Sequence, residues 1–385
     1  MRLTKLSLIA TLAISSVFAG GDISPVQPTT TTPSTTNEAC DSKTTINAKL
    51  TGYYYTDDDS VDLFDNDSSE FGLAATLDVT HKFDEHIAMN FSAIGYVNTI
   101  KRNFMMEGDK NGAFINVANI TANYYDTTFI LGRQLLDTPM LGGFDWLLAP
   151  GAFEAYTIAN NSIDNLTLVG SYVRTWRQNN TGDEWIDLTD IDDGNNWTLG
   201  AVYDDKTISA NLWYYNVDAG AKATDIDKYT QIYLDAGYDF GSFAVAAQYV
   251  NTDFDTAKDS DLFALKATTS LGGFDFLVAY SNLSDNVAGF VGRDTIYTSS
   301  WNTFASNSQG DAFKFEASSE FVGISATASY AYYEYEQEDD EGHEFDLILG
   351  YNITKCIDAN IVYSNTNYGS DDDVNALEIY ANYKF

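Results

Sequence analysis

The sequence predicts an all-β protein, a transmembrane up-and-down antiparallel β-barrel of about eighteen strands, with about sixteen as the alternative count. Three observations carry this prediction. Segments of about ten residues alternate apolar and polar side chains, the connections between them alternate between short and long, and the last segment runs as an apolar stripe to the C-terminus. Short turns on one side and long loops on the other are typical of such barrels.

Apolar side chains occupy every second position in segments such as Phe71 to Val79, Ile232 to Phe240 and Val322 to Tyr330. A period of two predicts strands. Short periplasmic turns are expected near residues 83–86, 126, 161–164, 204–206, 240–242, 271–273, 319–321 and 353–356. Long extracellular loops are expected near 56–70, 98–110, 136–150, 177–195, 217–228, 252–260, 284–310, 336–343 and 367–373.

An up-and-down sheet of this length has to close, because an open one exposes its edge strands. About eighteen strands enclose a lumen too wide for side chains to fill, so apolar side chains are expected to face lipid and polar ones a water-filled channel. Tyrosines near the predicted strand ends suit the membrane interfaces. A soluble secreted β-sandwich or adhesin, with Tyr and Trp packed in a core, is the alternative.

The closing segment shows this parity most clearly. Leu377 to Phe385 is predicted to present alternate apolar side chains to lipid, with Glu378 turned to the channel. The strand is expected to pair with the one that starts near Ile46, which leaves Phe385 at the periplasmic rim.

The N-terminus predicts export. Residues 1–19 combine Arg2 and Lys5, a short apolar stretch and a small-residue site at Ala19, as in a cleaved signal peptide, with an uncleaved anchor as the alternative. Residues 20–43 are rich in Pro and Thr and are expected to form a periplasmic lead-in. The barrel is expected to fill residues 44–385 and to lie in the cell outer membrane.

Composition excludes several classes of function. The net charge of −36 argues against nucleic acid as a partner, since phosphate contacts need Lys and Arg. The three histidines, His81, His86 and His343, belong to no recognisable catalytic or metal motif, so neither an enzyme nor a metal or other cofactor is expected. Acidic clusters fall in the first, fourth, eighth and ninth long loops, where they form a solvated face or bind divalent cations shared with anionic lipid.

The loop at residues 136–150 differs from the others because it is apolar. Side chains such as Met140 and Trp146 would be costly in water, so the loop is expected to fold into the barrel and narrow the channel, with Asp137 and Asp145 at the constriction. Packing on another loop or a subunit interface is the alternative. Arg293 and Trp301 of the seventh long loop are candidates to join it.

Strand parity predicts the charged side chains that line the channel. The expected inner-face residues are Lys49, Arg133, Arg174, Asp235, Lys266, Lys314, Glu316, Asp346 and Glu378. Opposed cations and anions would set a transverse field for permeating ions, although some would pair across strands instead.

Two cysteines, Cys40 before the first strand and Cys356 in a short turn, are both expected on the periplasmic side near the barrel closure. Export to an oxidising compartment makes a disulfide between them the expected state.

Residues 131–174 resemble the OprD-type outer-membrane porins of Gram-negative bacteria. The shared features are Gly132-Arg133-Gln134, Thr138-Pro139, Asp145, Pro150, Phe153-Glu154 and a strand that ends in Tyr172 and Arg174. Tyr383 and Phe385 resemble the terminal signal that outer-membrane barrels show to the barrel assembly machinery. The likeness in strand count and topology extends over about residues 44–385.

This resemblance implies passive diffusion of ions and small hydrophilic solutes across a membrane of phospholipid and lipopolysaccharide. Some family members favour carboxylates or basic amino acids through a row of arginines. Here Leu147 stands where the family often has Arg, and the chain is acidic, so weak cation preference is expected instead. Family members occur as monomers and as homotrimers, which leaves the oligomer open. A surface adhesin or structural protein with a plugged barrel is the alternative function.

Overall fold

The structure is a computed structural model that describes residues 43–100, 111–143, 148–179, 181–187, 195–218, 228–292, 294–335, 340–369 and 373–385. The signal-peptide and lead-in predictions lie outside the described residues, except that the first strand begins at Lys43. Among the described residues, no helix is long and apolar enough to cross a membrane.

Eighteen long strands occur in the described parts of the chain. They are β1 (Lys43–Asp57), β2 (Ser69–Lys82), β3 (Ile87–Ile100), β4 (Asn111–Tyr124), β5 (Thr127–Gln134), β6 (Ala152–Ile163), β7 (Leu166–Arg177), β8 (Asn196–Asp204), β9 (Ile208–Val217), β10 (Tyr229–Asp239), β11 (Phe243–Phe254), β12 (Ser260–Leu271), β13 (Phe274–Ser284), β14 (Gly310–Phe321), β15 (Ile324–Tyr335), β16 (Asp340–Asn352), β17 (Ile357–Asn367) and β18 (Val374–Lys384). The predicted count of about eighteen is confirmed.

Each strand pairs antiparallel with its neighbour in sequence, and β1 pairs with β18 from Lys49 opposite Lys384 to Asp57 opposite Ala376. Ala48 and Phe385 add two backbone hydrogen bonds of 2.9 and 3.0 Å at the end of this seam. The predicted closure by the C-terminal strand is therefore confirmed, and no sheet edge is left unpaired along it.

The connections alternate in length as predicted, with two of the short turns moved along the chain. The turn expected at 161–164 lies at 164–165, and the one expected at 319–321 lies at 322–323. The backbone explains both shifts, because Asn165, Val322 and Gly323 have φ angles of 62°, 54° and 78°. Tight hairpins need this left-handed conformation at their turn residues.

The two faces of the sheet differ as an inside-out barrel requires. On β10, Ile232 and Leu234 are exposed, whereas Gln231 and Tyr233 are buried. The same alternation places an exposed apolar side chain on the outer face of most strands, including Leu50, Leu73, Ile120, Leu131, Leu199, Leu212, Leu265 and Phe315. The buried polar face is turned to the barrel interior.

The hydrophobic core lies inside the barrel, between the wall and two long connections. We name these connections loop 3 (residues 135–151) and loop 7 (residues 285–309). Apolar wall residues pack against apolar loop residues in one cluster that includes Leu136, Met140, Tyr215, Tyr229, Val250, Leu262, Val291 and Ile296.

Candidate functional site: the barrel interior

Loop 3 enters the interior and contacts the wall at β9. The backbone N–H of Met140 donates a 3.2 Å hydrogen bond to the hydroxyl of Tyr215, and Leu136, Met140 and Leu141 are all buried. Asp137 is exposed and lies opposite Gly142 in a two-residue ladder. Asp145, Trp146 and Leu147 lie outside the described residues.

Loops 3 and 7 are joined by backbone hydrogen bonds. Gly142 donates its N–H to the carbonyl of Val291 over 3.0 Å, and Val291 donates to the carbonyl of Met140 over 2.9 Å. Leu141 and Val291 form an isolated parallel bridge. The two loops therefore form one unit inside the barrel.

The first half of loop 7 lies on β10 and β11. Gln231 donates to the carbonyls of Ala288 and Gly289, the second over 2.8 Å, and Gln248 donates to the carbonyl of Thr295 over 3.0 Å. Both glutamines are almost fully buried, so their side-chain amides form hydrogen bonds with the loop backbone instead of with water. Buried polar groups need such partners.

The second half of loop 7 crosses β13 to β16. The hydroxyl of Tyr333 donates to the carbonyl of Thr298 over 2.9 Å, and the ammonium of Lys314 donates to the carbonyl of Ser299 over 2.8 Å. Loop 7 thus follows the inner wall over about half of its circumference. A loop that only protruded from the rim would leave these carbonyls to water.

Glu378 holds the tip of loop 7 against the closing strand. Its carboxylate accepts hydrogen bonds from the indole N–H of Trp301 (2.6 Å) and the hydroxyls of Tyr53 (2.9 Å) and Tyr380 (2.7 Å). The side chain is only 1% exposed. Three donors to one buried carboxylate offset much of the cost of removing its charge from water.

A second carboxylate group on β16 receives the loop residues next to Trp301. Glu344 accepts the backbone N–H of Asn302 and the hydroxyl of Thr303, both over 2.6 Å. Asp346 accepts the hydroxyl of Ser329 over 3.0 Å and the backbone N–H of Trp301 over 3.4 Å. Loop 7 is therefore held by hydrogen bonds that its main chain and the Thr303 hydroxyl donate to buried carboxyl groups of β16.

Within loop 7, Asp294 is buried and braces the chain. Its carboxylate accepts the hydroxyl of Ser299 over 2.9 Å and the N–H of Ser306 over 3.1 Å. Burial raises the pKa of Asp294 above its ordinary value.

The structure places seven of the predicted lining residues on the inner face: Lys49, Asp235, Lys266, Lys314, Glu316, Asp346 and Glu378. Lys314 and Glu316 approach to 3.5 Å, and the Lys266 ammonium lies 4.1 Å from the centre of the Tyr297 ring. The Tyr297 hydroxyl donates to Asp235. Several of these charges contact one another or loop 7, and their role in permeation stays a prediction.

Arg133 and Arg174 lie on the outer face, so the prediction that they line the channel is wrong. Arg133 follows exposed Leu131 by two residues and shares its face. Arg174 is the extra residue of a bulge, since Val173 and Thr175 lie opposite successive residues of β6. Regular alternation with exposed Leu168 already places Arg174 on the outer face, and the bulge changes the alternation only after it.

Two residues on the inner side of the barrel are not predicted by the sequence. Glu344 directly follows the acidic loop predicted at 336–343, yet it lies in β16 and is fully buried; its spacing of two from Asp346 is the signal for a shared face. Arg177 is also fully buried, where it donates to Asn116 over 3.0 Å and to Thr181 over 2.7 Å and stacks on Phe114. Nothing in the sequence distinguishes it from a rim arginine.

The remaining predicted features are only partly described. Cys356 is exposed in the turn at 353–356, and Cys40 lies outside the described residues, so their disulfide stays a prediction. The fourth, eighth and ninth acidic clusters are described only in part, and Glu70 of the first lies in β2, buried. In the described part of the chain, no group of three or more His, Cys, Asp or Glu side chains is placed to hold a metal ion.

Comparison with known proteins adds evidence on the fold. No family model and no curated protein matches the chain. Among solved structures, it is similar to the outer membrane protein OpdK of Pseudomonas aeruginosa, with a TM-score of 0.76, 15% identity and coverage of 89% of this chain and 98% of that one.

Two further structures agree. OccK9 (OpdG) of Pseudomonas aeruginosa has a TM-score of 0.74 at 17% identity, covering 89% of this chain and 98% of that one. OccAB3 of Acinetobacter baumannii has a TM-score of 0.74 at 15% identity, covering 90% and 100%. The chain therefore has the fold of the OprD-type outer-membrane porins, as its sequence resemblance predicts.

Proposed function

We propose that this protein is an outer-membrane porin, through which ions and small hydrophilic solutes diffuse passively. The observation that carries the proposal is the closed eighteen-strand barrel with an apolar outer face and a polar inner one. Such a wall suits lipid outside and water inside. Its likeness to OpdK and the OccK and OccAB proteins supports the same reading.

Loops 3 and 7 are proposed to narrow this channel. Their mutual backbone bonds and their anchors on β9 to β11 and β16 to β18 support a fixed constriction. Loops that are bonded to the wall at several points leave a channel opening of fixed size. Each of these hydrogen bonds would have to break before a loop could move out of the barrel. Asp137 and Asp145 stay candidates for the edge of that aperture.

Cation preference is proposed from the charge of the inner wall. Of the charged side chains buried on β14 to β18 in the described residues, four are carboxylates and one is a lysine: Glu316, Glu344, Asp346, Glu378 and Lys314. Fixed negative charge raises the local concentration of cations and lowers that of anions. One structure of OpdK was determined with vanillate, a carboxylate, whereas this wall favours solutes of the opposite charge.

The test is conductance across a planar bilayer under a KCl gradient. Purified protein is expected to give discrete steps with a reversal potential on the cation-selective side. Asp346→Asn should shift that potential toward zero, and Asp84→Asn, in an exposed periplasmic turn, should leave it unchanged. An anion-selective potential would contradict the cation preference.

A plugged barrel with a surface role is the second candidate, because loop 7 covers much of the inner wall and leaves Tyr53 and Glu344 with no exposed surface. The same recordings separate the two functions. Absence of conductance steps in bilayers that contain correctly folded protein would favour the plugged barrel.

A further inference from the structure

Arg133 and Arg174 form part of a charged row on the outer face of the barrel. Arg133 on β5 lies opposite Glu154 on β6, and Arg174 on β7 contacts the same carboxylate, with Nη1 3.3 Å from Oε1 of Glu154. Neighbouring strands lie about 4.8 Å apart, so the two arginine backbones are about 10 Å apart. We name Arg133, Glu154 and Arg174 the arginine row.

On the outer face, the row lies next to a band of large apolar and aromatic side chains, on the side of that band nearer to loop 3. Leu131 lies opposite Tyr156, Tyr156 opposite Tyr172, and Tyr172 opposite Trp197. Leu131 and Tyr156 are exposed on the outer face. Tyr and Trp mark the membrane interface, and two residues along a strand advance about 7 Å, which places the row at the depth of lipid headgroups.

The backbone positions these arginines specifically. Gly132, just before Arg133, has a φ of 120°, and a Cβ there would lie 2.4 Å from the carbonyl oxygen of Ala118. Only glycine fits such a position without strain. On β7, Arg174 continues the outer face of Leu168, and the bulge leaves it without a residue of its own opposite it on β6.

The guanidinium of Arg133 is also held in a defined plane. It donates from Nη1 to the carbonyl of Ile115 over 3.1 Å and lies 4.2 Å from the ring centre of Trp185. A planar guanidinium donates through a fork that matches the oxygens of a phosphate. Stacking reduces the side-chain freedom that a ligand would otherwise have to restrict.

We propose that the arginine row binds the phosphate groups of lipid A, the phosphorylated glycolipid of the outer leaflet. This inference rests on the outer-membrane placement given under the proposed function. The row carries two cations and one anion, whereas the chain as a whole has a net charge of −36. An acidic surface would repel an anionic headgroup, but the net positive charge of the row attracts one. The exposed apolar side chains below it suit the acyl chains.

The experiment measures binding of lipid A to the folded protein in detergent by native mass spectrometry. Bisphosphorylated lipid A is expected to bind more tightly than the same lipid without phosphate. Arg133→Gln with Arg174→Gln should raise the Kd for bisphosphorylated lipid A about tenfold or more, because charge-assisted bonds to phosphate are lost. Lys206→Gln, in an exposed periplasmic turn, should leave that Kd unchanged.

Glu154→Gln separates ligand binding from a purely structural role. If Glu154 competes with phosphate for Arg174, its neutralisation should lower the Kd. If the row served only to join strands, the same change would weaken the barrel and leave the Kd unaltered. Folding of every variant is checked by its heat-dependent migration in an SDS gel.

Equal affinity for phosphorylated and dephosphorylated lipid A, or an unchanged Kd in the double variant, would overturn the proposal. Excess inorganic phosphate should not displace the lipid, since it lacks acyl chains; complete displacement would also contradict a lipid site. Conductance is recorded separately on the same preparations. Its absence would refute the porin function without changing the measured lipid affinity.

Discussion

Trp301 donates its indole N–H to Glu378 over 2.6 Å, and this hydrogen bond ties loop 7 to the strand that closes the barrel. Tyr53, on the other strand of the seam, donates to the same carboxylate. One buried side chain thus links barrel closure to the position of an interior loop. Loss of the Glu378 carboxylate should alter conductance more than it destabilises the barrel, because the strand pairing across the seam remains.

Removing this donor tests the link. Trp301→Phe is expected to raise single-channel conductance and its noise, because loop 7 loses an anchor worth about 1.5–3 kcal/mol. Trp197→Phe, on the outer face, is the matched control and should leave conductance unchanged. A quiet channel of wild-type conductance in Trp301→Phe would show that the remaining anchors suffice.

The buried pair Lys314 and Glu316 offers a test of wall electrostatics. Lys314→Met should destabilise the barrel by about 3–5 kcal/mol, since it leaves the Glu316 carboxylate buried beside an apolar side chain. Adding Glu316→Gln should recover most of that loss. The measurement is the temperature at which the folded band disappears in an SDS gel; a double variant no more stable than Lys314→Met would contradict the pairing.

The turn at 322–323 contains a strained residue. Val322 is β-branched and has a φ of 54°, a conformation that costs L-residues about 1–2 kcal/mol. Val322→Asn should therefore raise thermal stability, because Asn-Gly suits this turn. Ile353→Asn replaces another exposed apolar side chain in a periplasmic turn that lacks positive φ, and no comparable gain is expected there.

Asp205 should give stability a pH dependence. Its carboxylate accepts the N–H groups of Ile208 (2.7 Å) and Thr207 (2.9 Å) and the hydroxyl of Tyr203, and these bonds lower its pKa. A lowered pKa contributes stability above the unfolded value of about 3.9 and loses it as pH falls through the folded value.

Asp205→Asn should accordingly lower the melting temperature at pH 7, and the difference from wild type should shrink as the pH falls below about 4. Thermal melts at several pH values check this. A difference that persists unchanged at acid pH would assign the effect to hydrogen-bond geometry rather than to charge.

The predicted disulfide between Cys40 and Cys356 is tested by mass spectrometry after alkylation. Without reductant, neither cysteine should react, and with reductant both should. Cys356 is exposed in its turn, so a free thiol there would be alkylated readily. Reaction of both residues without reductant would exclude the bridge.

The alternation of side chains determined which face most charges occupy. Glu378, Asp346 and Lys314 fall on the inner face because regular strands repeat every two residues. Arg133 and Arg174 lie on the outer face by the same alternation, since they are two and six residues from the exposed Leu131 and Leu168, respectively. The sequence does not identify Glu344 as an inner-face residue, because the ends of strands cannot be located closely in an acidic segment.

The sequence by itself determined the barrel, its strand order, its seam at the C-terminal strand and the apolar character of loop 3. These follow from local patterns, namely side-chain periodicity and connection length. Only the tertiary structure decided that loop 7 lies on the inner wall, that Trp301 contacts Glu378 and that Arg177 is buried. Such contacts join residues far apart in the chain, and they depend on strand register and shape complementarity, which no local pattern specifies.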